Sequence, residues 1–269
     1  MTALEKILEE VAEGEVTFPT HADVAFRVRL ALDDPDLHIN KAAQIVQAEP
    51  LLAARVVAVA NSIAFNPGNR PVTDVRTAVT RLGIRFVRAL ATAVVMRQMA
   101  SSAHSPVSRA LSERLWEHTA HVSALAHLLA VHFHRPGADI AMFAGIVHEV
   151  GGFYLISRTD THPHLLAETS LMTPAAEASI GRAVLAALAV PVEVVGAVEC
   201  IWQDAPSVFP PVTLGDLLCL ANRLTPIVSP LQRPEAHRLE IESGGDALLA
   251  EILDQSGDEM GALTAALRY

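Results

Sequence analysis

The chain is poor in aromatic residues, cysteine and positive charge, and each shortage closes off a class of function. Aromatics make up 4% of 269 residues, against 51% hydrophobic residues in all. The core must therefore come from Ala, Val and Leu, a composition that favours close packing of helices. Cys200 and Cys219 are the two cysteines; they are too few for a disulfide framework or a four-thiolate zinc site and read as small core residues. A net charge of −10 argues against a general nucleic-acid scaffold and against DNA as a partner, leaving room for one local basic face. Long apolar runs are missing too. Mean hydropathy is +0.33, yet the longest uninterrupted apolar stretch lies between Ala183 and Val192, and a membrane span needs roughly twenty residues. The start, MTALEKILEEVAEGE, carries acids where a secretory leader has a basic end and an apolar centre. A cytoplasmic protein without membrane insertion is expected. GxGxxG, P-loop and GxSxG motifs are absent, so those phosphate cradles and the serine-hydrolase elbow have no support.

What the chain does have is helical periodicity, and strand signals are weak throughout. Leu52, Val56, Val59 and Ile63 fall on one face of a helix that Pro50 is suited to open. Asn66, Pro67, Gly68, Asn69 and Pro71 then break it. A short helix from Thr73 to Leu82 is punctuated by Gly83, and a longer one carries Phe86, Leu90, Val94 and Met99 inward. The stretch SSAHSPVS, Ser101 to Ser108, lacks apolar period and is the expected junction between two lobes. A long helix follows with Leu115, His118, Val122, Leu125 and Leu129 in one stripe; another after Pro136-Gly137 holds Phe143, Ile146 and Val150. This reading puts His118 and His148 on core helices. Further helices are predicted over Pro174–Leu188, Pro191–Gln203 and Val212–Leu224, with short amphipathic ones from Gly245. The expected organisation is an all-α, two-lobed body: an N-terminal lobe over 1–103, a second lobe over 104–230, and a tail over 231–269 that packs on the body or stands apart.

Several segments, in order, resemble the HDOD domain family. AEPLLAARVVAVANS, VTDVRTAVTRLG and FVRAL match its first lobe, with Asn61, Ser62, Gly83 and Arg88 at corresponding places. LWEH (Leu115–His118), FAGIVHEVG (Phe143–Gly151) and EASIGRAVLAALAVP (Glu177–Pro191) are similar to the HD superfamily of metal-dependent phosphohydrolases. The resemblance runs from about Val16 to Pro226. It implies an all-α fold with a degenerate HD-like second lobe, and a regulatory role in bacterial signal transduction through a sensor, response regulator or cyclase-type partner, or a nucleotide second messenger.

The chemistry of the second lobe rests on its ligand set. An HD-type site needs imidazoles and carboxylates converging on one or two ions. His118 and His148 stand at superfamily ligand positions, but Glu149 replaces the Asp of the doublet and shifts the carboxylate by about an ångström against a ligand tolerance of roughly 0.2 Å. Asn222 stands where the superfamily has its final Asp, and a neutral amide supplies no charge to offset a cation. Trp202 and Gln203 replace a histidine pair of HDOD relatives, and Trp cannot ligate; Glu177 replaces another histidine. His118, His148, Glu149, Glu177 and Asn222 are therefore read as vestigial positions, with no catalytic residue, metal or cofactor expected. A residual metal-dependent phosphodiesterase using His118, His148, Glu149 and Glu177 is the alternative, and a ligand sensor without turnover is a third reading. His132 and His134, like His162 and His164, read as exposed polar residues. Arg81, Arg85 and Arg88, spaced by four and three, form a basic stripe suited to an acidic surface or a phosphate.

Overall fold

The computed structural model describes residues 2–18, 23–68, 70–101, 105–133, 137–162, 164–165, 174–206, 208–231, 245–255 and 257–268. Among them the protein is all helix: α1 (Ala3–Ala12), α2 (Asp23–Ala31), α3 (Ile39–Gln47), α4 (Pro50–Ala60), α5 (Val75–Ser101), α6 (Pro106–His132), α7 (Ala138–Val147), α8 (Val150–Ser157), α9 (Pro174–Ala187), α10 (Val192–Trp202), α11 (Leu214–Leu224), α12 (Gly245–Gln255) and α13 (Gly257–Arg268). Local chemistry sets many of the starts. Thr2 and Glu5 form a reciprocal capping box on α1, as Thr213 and Asp216 do on α11. Pro50 and Pro106 open α4 and α6 behind the side-chain caps of Glu49 and Ser105.

Helix α5 is the hinge of the architecture. Its sequence turns at Gly83, with φ 79° and ψ 157°, a backbone region open to glycine alone. One side meets α2, α3 and α4; the other meets α7 and α8. Helix α6 packs on α7, α11 and α13, and α9 on α8 and α1. The buried side chains form one continuous core, dominated by Ala, Val and Leu, and the few aromatics sit at helix junctions. Phe65 stacks edge-on against Phe86 at 4.7 Å and lies 5.4 Å from the His127 ring.

Three expectations need correction. Ile63 is 59% exposed, because α4 ends at Ala60 and Asn61 turns the chain away. The Asn61 amide donates to the Val57 and Val72 carbonyls and accepts from the Val72 amide, and Ser62 donates to the Val59 carbonyl. The histidine–glutamate doublet does not lie within one helix: His148 caps the end of α7, and Glu149 stands at the start of α8. Finally, Ala138–Ser157 is long and apolar enough to cross a membrane by length and composition, a stretch that the apolar-run argument passed over; 83% of its most apolar window is buried in the core. Residues 102–104 of the expected junction, and His134, lie outside the described residues.

Candidate functional site

His118, His148 and Glu149 come together at the junction of α6 with the break between α7 and α8. One ligand atom of each lies within 4.8 Å of the others. The cluster is deep: His118 is 0% exposed, His148 3% and Glu149 9%. Close helix contact makes this possible. A Cβ on Gly145 would lie 2.4 Å from the Ser123 Cα, so glycine lets α7 touch the α6 backbone, and Ser123 donates to the Met142 carbonyl across that contact at 2.8 Å.

The hydrogen bonds fix both tautomers. His118 Nδ1 faces the Ile227 carbonyl at 2.6 Å, and His148 Nδ1 faces the Gly145 carbonyl at 2.7 Å. A carbonyl only accepts, so each Nδ1 carries the proton and each neutral ring keeps its lone pair on Nε2. Those two Nε2 atoms stand 3.1 Å apart, with a Glu149 oxygen 3.8 Å from His118 Nε2. Two lone pairs at that distance repel unless something positive lies between them. A proton is costly there: burial drives the His148 pKa down to about 4, with His118 pushing the same way and Glu149 opposing. Two neutral imidazoles and a carboxylate, each imidazole oriented by a backbone carbonyl, fit one divalent ion. His118, His148 and Glu149 would hold it.

The remaining sequence-derived positions separate. Asn222 lies on α11, which packs against α6 and α7; it is 5% exposed, and its Oδ1 has no hydrogen-bond partner among the described residues. Glu177 is half-buried on α9, outside the 4.8 Å group. Trp202 ends α10 with its ring where a Cβ on Gly181 would stand. Cys219 is buried and its thiol is pushed up to about 12, first by burial and then by Cys200. His132 is exposed, and His162 bonds Thr161. The arginine stripe is split by the kink at Gly83. Arg81 donates to the Ala60 carbonyl at the end of α4, whereas Arg85 and Arg88 border a cavity beside Asp33. Arg29 and the carbonyls of Ile227 and Gly145 were missed in the sequence. Nothing local marks a carbonyl that orients a histidine 109 residues away.

The chain belongs to the HDOD domain family, whose model matches residues 18–199. The match stops short of α11 and Asn222. Solved structures agree on the fold. A protein from Shewanella amazonensis, provisionally named a metal-dependent phosphohydrolase, is 23% identical with a TM-score of 0.68, over 98% of this chain and 97% of that one. An HDOD domain protein of unknown function from Geobacter sulfurreducens is 19% identical with a TM-score of 0.62, over 97% of each chain. A third, from Marinobacter aquaeolei and provisionally named a signal transduction protein, is 21% identical with a TM-score of 0.53, over 94% of this chain and 60% of that one. No curated protein matches the chain.

Proposed function

We propose that the protein is a non-catalytic signal-transduction module that works by binding a signalling protein, with the His118–His148–Glu149 cluster as a structural clasp. The carrying observation is closure. Structural metal sites fill four positions with protein ligands, whereas three protein donors leave a fourth for water or substrate; the structural reading therefore rests on burial. Here the three donors are buried, and the segment after α11 lies over them: Ile227 accepts from His118, and a Leu231 methyl lies 2.4 Å from where a Cβ on Gly152 would stand, beside Glu149. Glu149 also supplies the only formal negative charge of the group, which favours one ion over two. His118, His148 and Glu149 would hold the ion and so tie α6 to the α7–α8 break, while the Ile227 carbonyl orients His118 from the segment after α11. Partners of the sensor, response-regulator or cyclase type are those that the family resemblance implies.

The second reading, a residual phosphohydrolase, is favoured by the donor convergence itself. A divalent ion at this position would supply Lewis acidity and a more acidic bound water. Elemental analysis of protein purified without chelator, paired with thermal unfolding, tests the clasp. It calls for one ion per chain, a melting point that falls on chelation, and loss of both ion and shift in His148→Ala. Two ions per chain, or an ion whose removal leaves the melting point unchanged, would sink it.

A further inference from the structure

A cavity of about 280 Å³ opens between the first group of helices and the second, away from the histidine cluster. Its two walls carry opposite charge. On the α2–α5 side stand Arg29, Arg85 and Arg88 against one carboxylate, Asp33. Arg29 is 2% exposed: Nε donates to Thr92 Oγ1 at 2.9 Å, Nη2 donates to the Ala189 carbonyl at 3.2 Å, and Nη1 forms an ion pair with Asp33 at 2.5 Å. The other Asp33 oxygen takes Arg88 at 3.2 Å. Asp33 is thus shared between two guanidiniums. Arg85 is exposed and has no hydrogen bond or ion pair among the described residues. Facing this wall are Asp139 and Glu193, in the first turns of α7 and α10. Helix dipoles account for acids at those places, but neither carboxylate has a hydrogen-bond partner among the described residues. Ile140, half-buried, and Phe143, 8% exposed, line the cavity with them, over the fully buried Val194. Ala189, the acceptor of Arg29, holds φ at 50°, a left-handed conformation that costs a non-glycine residue about 1 kcal/mol or more. The strained turn joins the two walls through Arg29.

We propose that this cavity is a binding site for a guanine mononucleotide, with its phosphate on Arg85 and Arg88 and its base against Phe143 and Ile140, read by Glu193. The chemistry of each wall selects part of this ligand. Arginine forks match phosphate oxygens. A carboxylate accepts two parallel donors, which guanine offers through N1–H and its 2-amino group; adenine pairs its amino group with an acceptor, and uracil has a single N–H. At about 280 Å³ the cavity lies just below the usual range of small-molecule pockets, so it takes no more than one nucleotide. Bound across the gap, the ligand would bridge α5 to α7 and α10 and so join the two groups of helices. This site is independent of the clasp and of any ion held there.

Isothermal titration of the full chain with GMP, AMP, UMP and inorganic phosphate tests it. GMP is expected to bind at least about tenfold tighter than the other three. Arg85→Glu should weaken GMP by about tenfold or more, and Glu193→Gln should narrow the difference between GMP and AMP; both positions are exposed, so an unchanged melting point keeps the comparison valid. No GMP binding, binding of phosphate as tight as GMP, or GMP binding undiminished in Arg85→Glu would each overturn the proposal.

Discussion

Burial sets the protonation of His148, and through it the pH response of the protein. His148 is held at about 4 against an ordinary 6.5, and burial also lowers His121 and His127. The unfolded chain therefore takes up protons that the folded chain refuses. Stability is full above pH 6.5, falls as the pH drops below that value, and the His148 loss is complete near pH 4, where it reaches about 3 kcal/mol. Urea unfolding of chelator-treated protein should show the midpoint falling steadily from pH 7.5 to pH 4.5; a rise over that range would show that His148 is not buried neutral. Much of this cluster was legible in the sequence. The periodicity of α6 put His118 inward, and it is 0% exposed. The doublet at His148-Glu149 was legible as a pair but not as a helix break, because its apolar neighbours on both sides read as one run. Arg29 gave no signal: its partners Thr92 and Ala189 lie 63 and 160 residues along the chain.

Two glycines at the scale of the elements do different physical work, and substitution separates them. Nothing lies within 4 Å of a Cβ on Gly83, so Gly83→Ala meets no clash. Its cost is backbone alone, about 1–3 kcal/mol for a residue forced into that conformation, with α5 losing its turn. Gly145→Ala fails for the opposite reason. Its φ is ordinary, but the new methyl would run into the Ser123 backbone, driving α6 and α7 apart at about 3 kcal/mol of overpacking. Chemical denaturation should show both losses, while only Gly145→Ala should weaken metal retention, since His118 and His148 ride on the separated helices. Equal metal retention in the two variants would contradict that geometry. The Gly83 break was readable because glycine interrupts a helical pattern. The arginine stripe misled for the same reason: spacings of four and three define one face only where the helix is continuous, and Gly83 stands between Arg81 and Arg85.

At the scale of the whole molecule, the C-terminal helix closes the body. Leu263 and Leu267 of α13 are 0% and 1% exposed. The Leu267 carbonyl accepts from Arg55 Nη1 at 2.7 Å and from Trp116 Nε1 at 3.0 Å, and the guanidiniums of Arg55 and Arg97 both lie over the Trp116 ring. Arg55 is 3% exposed, and burial, with Arg97 beside it, lowers its pKa to about 10. Removing residues 257–269 strips that acceptor from a buried cation and exposes the leucine stripe, a loss of about 3 kcal/mol or more. Denaturation followed by tryptophan fluorescence should show a lower midpoint and an altered Trp116 signal; an unchanged midpoint would mean that α13 contributes no stability. The family resemblance, which ended near Pro226, could not show this, since the amphipathic pattern of the tail names no partner surface.

On the proposed function, the clasp organises the body without turning over substrate. The most direct measurement is hydrolysis of a nucleotide and phosphodiester panel by metal-loaded protein, compared with the His148→Ala variant. Equal background rates in the two are expected; turnover by the native protein that His148→Ala abolishes would contradict the account and make the cluster a reaction centre.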